Sequence, residues 1–232
     1  MSRARPIVAL DGPAGAGKST VARLVADRLG FLYVDTGAMY RAVALKAERL
    51  GVVDDEAAVV ALADTSQITL ATGAGALQVL LDGEEVTAAI RTPRLSALVS
   101  PVAAMSGVRR SMVRRQRELG REGGVVMEGR DIQTVVFPDA EVKIFLTASP
   151  AERARRRCAE LQTKGVVADF ATVEAEMAAR DRRDATRADS PLVPAADAVT
   201  VTTDGLPIDQ VVARIVDIVQ ERCPQLNQRG LP

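Results

Sequence analysis

The sequence contains no histidine, and aromatic residues make up only 3% of its 232 positions. Without histidine the chain cannot form a Ser-His-Asp or Cys-His catalytic set, a histidine zinc site or an imidazole acid–base pair. Any catalysis must therefore use carboxylates, arginine, lysine, hydroxyl groups, backbone amides or a metal. The low aromatic content also argues against a protein that binds single-stranded nucleic acid by stacking its bases.

Cysteine and long apolar runs are scarce as well. The two cysteines, Cys158 and Cys223, form no CxxC motif, and we expect both to be reduced thiols. No stretch approaches the ~20 apolar residues of a membrane-spanning helix, and the first apolar run has no signal-peptide pattern. The 30 basic and 30 acidic residues cancel, so no overall charge would hold the protein on nucleic acid or anionic lipid. We therefore expect a cytoplasmic protein with neither a nucleic-acid nor a membrane partner.

Apolar runs and helical patterns alternate along much of the chain. The runs predict strands at residues 7–10, 31–34, 124–127, 141–146 and 198–203. Helical spacing predicts helices at residues 17–29, 38–50, 102–121, 151–164, 173–189 and 208–221, with a frayed tail after Pro224. This alternation favours the α/β class with a parallel sheet flanked by helices. Residues 68–72 and 77–81, joined by a turn at Gly73-Ala74-Gly75, predict a small antiparallel β insert.

The strongest motif is GPAGAGKST at residues 12–20, a full match to GxxxxGK[ST] between a predicted strand and a predicted helix. Glycines in such a loop let backbone N–H groups turn towards phosphate oxygens, and the helix N-terminus adds a favourable dipole. Lys18 is expected to reach the β- and γ-phosphates, and the Ser19 hydroxyl to coordinate Mg²⁺. The motif therefore predicts a nucleoside triphosphate site formed by Gly12, Pro13, Ala14, Gly15, Ala16, Gly17, Lys18, Ser19 and Thr20.

A phosphate-binding loop is shared by switches, motors and kinases. Asn227 is the only asparagine, so the NKxD guanine-recognition motif of GTPases is absent. A motor ATPase usually has two acidic residues after an apolar strand, whereas here Glu128 is followed by glycine and arginine. Glu128 is either a carboxylate that holds Mg²⁺ through water or an ordinary strand-end residue, and the sequence leaves both interpretations open.

Arginine outnumbers lysine by 26 to 4. Many of the arginines fall into three clusters, at residues 109–121, 153–157 and 180–187. Guanidinium groups bind phosphate in a bidentate manner, so clusters in a chain with a phosphate-binding loop suggest more phosphate than one triphosphate carries. A phosphate acceptor is already an anion and needs no general base, so transfer onto it requires only alignment and charge neutralisation. The residues thus indicate phosphoryl transfer to a second phosphate.

Five segments resemble, in order, the bacterial cytidylate kinase family. They are GPAGAGKST at 12–20, YVDTGAMYRAV at 33–43, IRTPRLSALVSPVAA at 90–104, EGRDIQTVVFPDA at 128–140 and RDRRDATRADSPLVPA at 180–195. The resemblance implies a single P-loop kinase chain with a small β-containing insertion that binds the nucleoside monophosphate and an arginine-rich helical lid. It places the core at residues 1–35, 122–150 and 190–222, the monophosphate-binding region at 36–121 with the β insert at about 67–90, and the lid at about 151–168.

The resemblance also implies the reaction: ATP and CMP or dCMP give ADP and CDP or dCDP, with Mg²⁺. It assigns Asp35, Thr36 and Arg41 to the acceptor phosphate, together with Arg130 and Arg187. Ser100, Arg109 and Asp131 would recognise cytosine, Arg180 and Asp184 the ribose 2′-hydroxyl, and Arg157 in the lid would contact ATP. Catalysis would rest on Lys18, Arg130, Asp131 and Arg187. Two positions depart from the family pattern: Thr36 replaces a serine, and Gln133 replaces a frequent glycine and could alter the backbone near the acceptor.

The interpretation that follows is a monomeric ATP:CMP kinase whose only partners are CMP or dCMP and MgATP. Two alternatives remain open to the sequence. One is a P-loop kinase for another small acceptor, such as UMP or shikimate. The other is a nucleotide-dependent switch that uses its arginine clusters to bind RNA, with affinity that falls steeply with salt and no acceptor-dependent turnover.

Overall fold

The computed structural model describes residues 3–73, 76–163 and 165–229, and side chains except at 72, 73, 76 and 227–229. The chain divides into two compact units. The core unit comprises Met1–Tyr33 and Glu122–Pro232, and the inserted unit comprises Val34–Arg121. The sequence placed the corresponding boundaries at residues 35 and 122. The assignment of the inserted segment to monophosphate binding and of residues 151–168 to a lid remains a prediction.

Strands and helices follow one another as the alternating pattern indicates. The strands are β1 Ile7–Asp11, β2 Leu32–Asp35, β3 Ile68–Gly73, β4 Ala76–Leu81, β5 Glu84–Glu85, β6 Val125–Gly129, β7 Val142–Thr147 and β8 Val199–Thr202. The α-helices are α1 Lys18–Leu29, α2 Thr36–Arg49, α3 Glu56–Thr65, α4 Pro93–Ala104, α5 Ser106–Leu119, α6 Pro150–Thr163, α7 Phe170–Thr186 and α8 Ile208–Arg222. A π-helix spans Ile132–Val136, and short 3₁₀ helices span Ala89–Arg91 and Pro224–Arg229.

The main sheet has the strand order β2-β6-β1-β7-β8 among the described residues. The central strand β1 is parallel to both β6 and β7, and β7 is parallel to β8. All five residues of β1 are buried, as are those of β6, which explains why both strands are continuous apolar runs rather than alternating ones. The carboxyl ends of parallel strands meet at one edge, where open α/β sheets bind ligands. The α/β class with a parallel sheet is confirmed.

The inserted unit contains an antiparallel sheet of β3, β4 and β5. Ile68 pairs with Leu81 and Gly73 with Ala76, so the predicted β insert is present. Its predicted turn includes Ala74 and Gly75, which lie outside the described residues. Helix α3, which the sequence analysis did not predict, begins at an Asp55 cap whose carboxylate accepts a hydrogen bond from the Ala58 N–H at 3.0 Å.

The prediction of one helix over residues 102–121 is wrong. Two helices, α4 and α5, occupy this region. The helical conformation is interrupted between them at Met105, which is extended with φ −66° and ψ 118°. The predicted helix start at residue 102 is also wrong, because Pro101 and Val102 both lie inside α4. Helix α4 starts earlier, where the Thr92 hydroxyl caps the Leu95 N–H at 3.2 Å and Pro93 occupies the first turn. Proline lacks a backbone N–H and disfavours a helix interior, but Pro101 is exposed and lies in the last turn of α4.

The tail is more ordered than predicted. A 3₁₀ helix spans Pro224–Arg229, and Leu226 within it is buried. The Leu226 N–H donates to the Cys223 carbonyl at 3.0 Å, which continues the chain beyond α8. The frayed tail is therefore not found over these residues. Among the described residues, no helix is both long and apolar enough to cross a membrane.

Candidate active site

The loop between β1 and α1 follows a path that only glycine permits at its first position. Gly12 has φ +153°, and a Cβ atom there would lie 1.9 Å from the Leu146 carbonyl oxygen of β7. Gly17 has φ +90° and forms the N-cap of α1 without any side-chain cap. The first amides of α1 therefore have no local side-chain acceptor at the cap, which is the arrangement that binds phosphate at a helix N-terminus.

Substitution of Gly12 tests this close approach. We expect Gly12→Ala to lower the free energy of unfolding by at least about 3 kcal/mol, since overpacking and a positive φ both oppose a Cβ atom. Gly205→Ala is the matched control, because Gly205 also has a positive φ, +66°, but nothing lies within 4 Å of the added atom. Its cost should be about 1 kcal/mol. Urea denaturation measures the free energy of unfolding of both variants. Equal losses would contradict the close approach of the Gly12 backbone to the Leu146 carbonyl.

Lys18 is buried beneath this loop, and its Nζ donates to the Pro13 carbonyl at 2.8 Å. Burial lowers the pKa of Lys18 to about 7, and the positive charge of Arg130 acts in the same direction. The carboxylates of Glu128 and Asp11 oppose this shift in the pKa of Lys18. An anion bound against the ammonium group would raise its pKa again, so the ligand-free site favours a phosphate ligand electrostatically.

Two arginines of α6 hold the loop through its carbonyl groups. The Arg153 guanidinium is buried and donates to the Ala14 carbonyl at 3.2 Å and to the Asp181 carboxylate at 2.5 Å. Arg156 donates to the Ala16 carbonyl at 3.4 Å and to both the hydroxyl and the carbonyl of Thr203. These contacts fix the loop from outside.

Arg157, the lid residue assigned to ATP by resemblance, forms an ion pair within its own helix. Its guanidinium donates to Glu160, three residues along the same helix, at 2.7 Å. Its role towards ATP stays a prediction. The sequence singled out the cluster at 153–157 but contained no signal that separates Arg153 and Arg156 from Arg157.

Beyond β6, an ion pair joins two residues assigned to the acceptor. Arg130 Nε lies 3.0 Å from Asp184 Oδ2, and both side chains are at least four-fifths buried. Burial by itself would raise the pKa of Asp184, but Arg130, and to a lesser extent Arg180 and Arg187, outweigh it and lower the pKa. Arg187 Nε in turn donates to the Ser190 carbonyl at 2.5 Å. The structure thus brings Arg130 next to a segment at least 50 residues further along the chain, which carries Asp184 together with Arg180 and Arg187.

The sequence analysis missed a carboxylate that contacts the segment after Arg130. Asp11 is completely buried at the end of β1, and it accepts the backbone N–H groups of Ile132 and Gln133 at 3.1 and 2.9 Å. Asp131 lies directly before these amides and is itself buried. The only available signal was an aspartate at the end of an apolar run, which is a common way for a strand to end.

Glu128, the strand-end carboxylate whose role was left open, is also buried. Its Oε1 accepts a hydrogen bond from the Tyr33 hydroxyl at 2.5 Å. The acid therefore has a protein partner in this structure. It still contributes negative charge next to Lys18.

In the inserted unit, Asp35 and Arg41 are anchored by their own unit. The Asp35 carboxylate caps α2 by accepting the Ala38 N–H at 2.9 Å, and Arg91 lies 3.9 Å from it. Arg41 donates to the Ile90 carbonyl at 3.1 Å and to the Ser96 hydroxyl at 3.0 Å. Thr36, which follows Asp35, is buried in the first turn of α2.

The two inserted-unit residues assigned to the base occupy different helices. Ser100 lies within α4 and is half-buried. Arg109 is buried in α5, donates to the Ala103 carbonyl at 3.1 Å and lies over the Tyr40 ring at 5.6 Å. The guanidinium of Arg109 is thus held by α4 and by an aromatic face of α2.

The residues fit a triphosphate and its magnesium ion. Gly12 and Gly17 have positive φ angles and carry no Cβ atom at either end of the loop, Lys18 supplies a cation, and the side chains of Ser19 and Thr20 are exposed. Among the described residues, no group of three or more acidic or cysteine side chains could hold a metal by itself. Such a site suits Mg²⁺, which retains several waters and is commonly bound by one or two protein groups together with substrate phosphates.

A phosphate-binding loop at the carboxyl end of a central parallel strand, beside buried arginines and a buried lysine, defines a P-loop nucleotide-binding protein of the kinase type. The family model described as "Cytidylate kinase" matches residues 8–221. The chain belongs to the cytidylate kinase family.

Individual relatives agree with this assignment. The chain is 57% identical to a cytidylate kinase of Pelotomaculum thermopropionicum, over 91% of this chain and 94% of that protein. It is 52% identical to a cytidylate kinase of Symbiobacterium thermophilum, over 90% and 94% of the two chains. It also matches a bifunctional pantoate ligase/cytidylate kinase of Synechococcus elongatus at 52% identity, where the alignment covers 94% of this chain but 42% of that protein.

Among solved structures, an uncharacterized protein from Eubacterium ventriosum aligns with a TM-score of 0.50 and 12% identity, over 94% of this chain and 99% of that one. At this identity the likeness concerns the fold alone.

Proposed function

We propose that the chain transfers the γ-phosphoryl group of ATP to CMP and to dCMP, with Mg²⁺ as the required ion. Membership of the cytidylate kinase family carries the reaction and the CMP substrate. The inclusion of dCMP, the use of Mg²⁺ and the role of each residue are inferences from the chemistry of the site. The cytoplasmic location and the monomeric state remain predictions from the sequence and the resemblance.

On the donor side, the backbone N–H groups of the loop at residues 12–20, apart from Pro13, which has none, bind the phosphates of ATP, and Lys18 neutralises the charge that develops between the β- and γ-phosphates. Mg²⁺ would supply further neutralisation, held by the Ser19 hydroxyl and phosphate oxygens. Arg153 and Arg156 keep the loop in shape through Ala14 and Ala16. The loop is thus preorganised before ATP arrives, which reduces the entropic cost of binding.

On the acceptor side, Arg130, Arg187 and Arg41 bind the CMP phosphate, with Asp35 and Thr36 next to it. Arg109, Ser100 and Asp131 recognise cytosine, whose exocyclic amine and ring acceptors need both a donor and a carboxylate. Asp184 and Arg180 bind the ribose 2′-hydroxyl. Arg130 connects the phosphate group of residues to the ribose group, because its Nε donates to Asp184 at 3.0 Å while its Nη1 donates to the Gly129 carbonyl at 3.1 Å.

The chemistry follows from charge. The CMP phosphate oxygen is an anion at neutral pH, so it can attack without a general base, and the lack of histidine is no obstacle. Two anionic groups must approach each other, so the site has to supply cations. Lys18, Arg130 and the neighbouring arginines provide them in a buried setting, where water screens them poorly.

The test is ADP release with MgATP and a panel of acceptors: CMP, dCMP, UMP, AMP, GMP and shikimate, with a control that has no acceptor. We expect turnover confined to CMP and dCMP, and loss of turnover when Mg²⁺ is chelated. Faster turnover of UMP or shikimate than of CMP would overturn the assignment of CMP and dCMP as the acceptors. Acceptor-independent release with salt-sensitive RNA binding would support the switch alternative instead.

A further inference from the structure

Asp11 lies at the junction between two parts of the proposed site. It ends β1 with its side chain completely buried, beside Gly129 of β6 and Phe145 of β7. The next residue, Gly12, begins the phosphate-binding loop. Across the sheet, Gly129 directly precedes Arg130, so one carboxylate stands between the donor loop and the segment that carries Arg130 and Asp131.

This carboxylate holds the first turn of the π-helix that follows Asp131. One oxygen accepts the Ile132 N–H at 3.1 Å, and the other accepts the Gln133 N–H at 2.9 Å. Asp131 occupies the N-cap position of that helix, but its side chain makes no capping hydrogen bond. A residue on the neighbouring strand therefore provides the side-chain cap that a helix usually receives from its own N-cap.

Gln133 makes a second connection from the same turn. Its Oε1 accepts the Ala195 N–H at 3.0 Å, and its Nε2 donates to the Ile144 carbonyl of β7 at 3.4 Å. Ala195 lies in the segment that follows α7, where the Leu192 N–H bonds to the Asp184 carbonyl at 2.8 Å. The residue that replaces the family's frequent glycine thus links the Asp131 segment to the segment after Asp184.

A buried carboxylate is a costly cap. Burial raises the pKa of Asp11 to about 6, and the negative charge of Asp131 acts in the same direction, whereas the hydrogen bonds from Gln133 and Ile132 lower it. A group that is expensive to bury contributes little net stability unless it is fully paired. The contribution of Asp11 to the protein is therefore expected in the position of the backbone that it binds rather than in stability.

We propose that Asp11 is a positioning residue for the phosphate acceptor. By fixing the backbone at Ile132 and Gln133 relative to the donor loop, it sets the direction in which Arg130 and Asp131 face CMP. Asp11 itself does not touch the substrate. The proposal rests on the acceptor roles given to Arg130 and Asp131 under the proposed function.

The donor loop depends less on Asp11 than the acceptor segment does. Three other hydrogen bonds hold the loop at its carbonyl groups, from Lys18 to Pro13, from Arg153 to Ala14 and from Arg156 to Ala16. Asp11→Asn also removes a negative charge that raises the pKa of Lys18, but it breaks none of these three hydrogen bonds, so the KM for CMP should change more than the KM for ATP. This asymmetry separates a positioning role from a general loss of stability.

The test compares Asp11→Asn with the unmodified protein. The amide keeps one acceptor oxygen but places an NH₂ group against a backbone N–H. We expect the KM for CMP to rise about 10- to 100-fold while the KM for ATP changes less than about threefold. Hydrogen exchange of the ligand-free protein should accelerate at least about tenfold at the amides of 132 and 133 and remain unchanged in β7.

Ile215→Val is the matched control for stability. Ile215 is fully buried in α8, and loss of one methylene should lower stability without changing either KM. Equal rises in both KM values for Asp11→Asn, in step with its melting temperature, would make Asp11 merely structural and overturn the proposal. Unchanged exchange at 132 and 133 would do the same.

A second variant covers the case in which Asp11→Asn does not fold. Gln133→Leu keeps the backbone N–H that Asp11 accepts and removes the side-chain bonds to Ala195 and Ile144, together with the side-chain interaction that helps to lower the pKa of Asp11. We expect a rise of a few-fold in the KM for CMP with slow exchange retained at 132 and 133. Fast exchange there would show that Asp11 does not hold the turn. If the unmodified protein fails to phosphorylate CMP, the proposed function fails, while the exchange data still test the contact.

Discussion

Replacement of Lys18 by methionine is expected to lower kcat by about 10²- to 10³-fold, because one preorganised cation facing the transferred phosphoryl group is lost. Methionine matches the length of the lysine stem and suits a buried position. The KM for CMP should change little. Stopped-flow or coupled-assay measurement of ADP formation gives both constants, and retained turnover would exclude the catalytic role of this lysine.

The same variant has a pH signature in stability. In the ligand-free protein the pKa of Lys18 is lowered to about 7 from the 10.5 of an exposed lysine. Between these values the unfolded chain holds a proton that the folded chain has released, so the free energy of unfolding should rise with pH. Lys18→Met lacks this contribution. The free energy of unfolding of the unmodified protein, measured by urea titration, should therefore rise from pH 7 to pH 10 relative to that of the Lys18→Met variant.

Lys46→Ala is the control for removal of a lysine. Lys46 lies in α2 and forms an ion pair with Asp82 at 2.6 Å, with an exposed partner side chain. Loss of such a pair costs about 1 kcal/mol or less. We expect kcat to stay within about twofold of the unmodified enzyme. A comparable loss of kcat would mean that the assay responds to charge in general rather than to Lys18.

The second large effect is expected at Arg130. Arg130→Met should lower kcat/KM for CMP and for dCMP alike by about 10²- to 10³-fold, since it removes a cation from the acceptor phosphate that both substrates share. It also leaves the Asp184 carboxylate, four-fifths buried or more, without its ion-pair partner, so stability should fall by about 2 kcal/mol. Acceptor kinetics and urea denaturation measure the two effects separately.

Asp184→Asn is the matched partner variant. If the carboxylate binds the ribose 2′-hydroxyl, the KM for CMP should rise about tenfold. The KM for dCMP, which lacks this hydroxyl, should rise only through the indirect effect of the substitution on Arg130. The ratio of the two constants isolates the 2′-hydroxyl. Equal rises for CMP and dCMP would assign Asp184 to the support of Arg130 alone.

Local pattern was sufficient for most of the fold. The apolar run at residues 7–10 and the glycine-rich loop after it predict β1, the loop and the start of α1, because each depends on neighbours in sequence. The β insert was likewise visible as two apolar runs. The predicted helix boundary was wrong because Pro101 lies inside α4 rather than before a helix. The interruption of the helix falls at Met105, a residue type that does not normally end a helix.

The sequence by itself determined the chemistry: a phosphate-binding loop, no imidazole, and arginines in excess of what one triphosphate needs. Only the tertiary structure decided which of these residues act together. The pairing of Arg130 with Asp184 joins positions 54 residues apart, and the bonds from Ile132 and Gln133 to Asp11 span 121 and 122 residues. The physical reason is that such partners are selected by strand order and by the need to satisfy buried polar groups, and neither is encoded in local spacing.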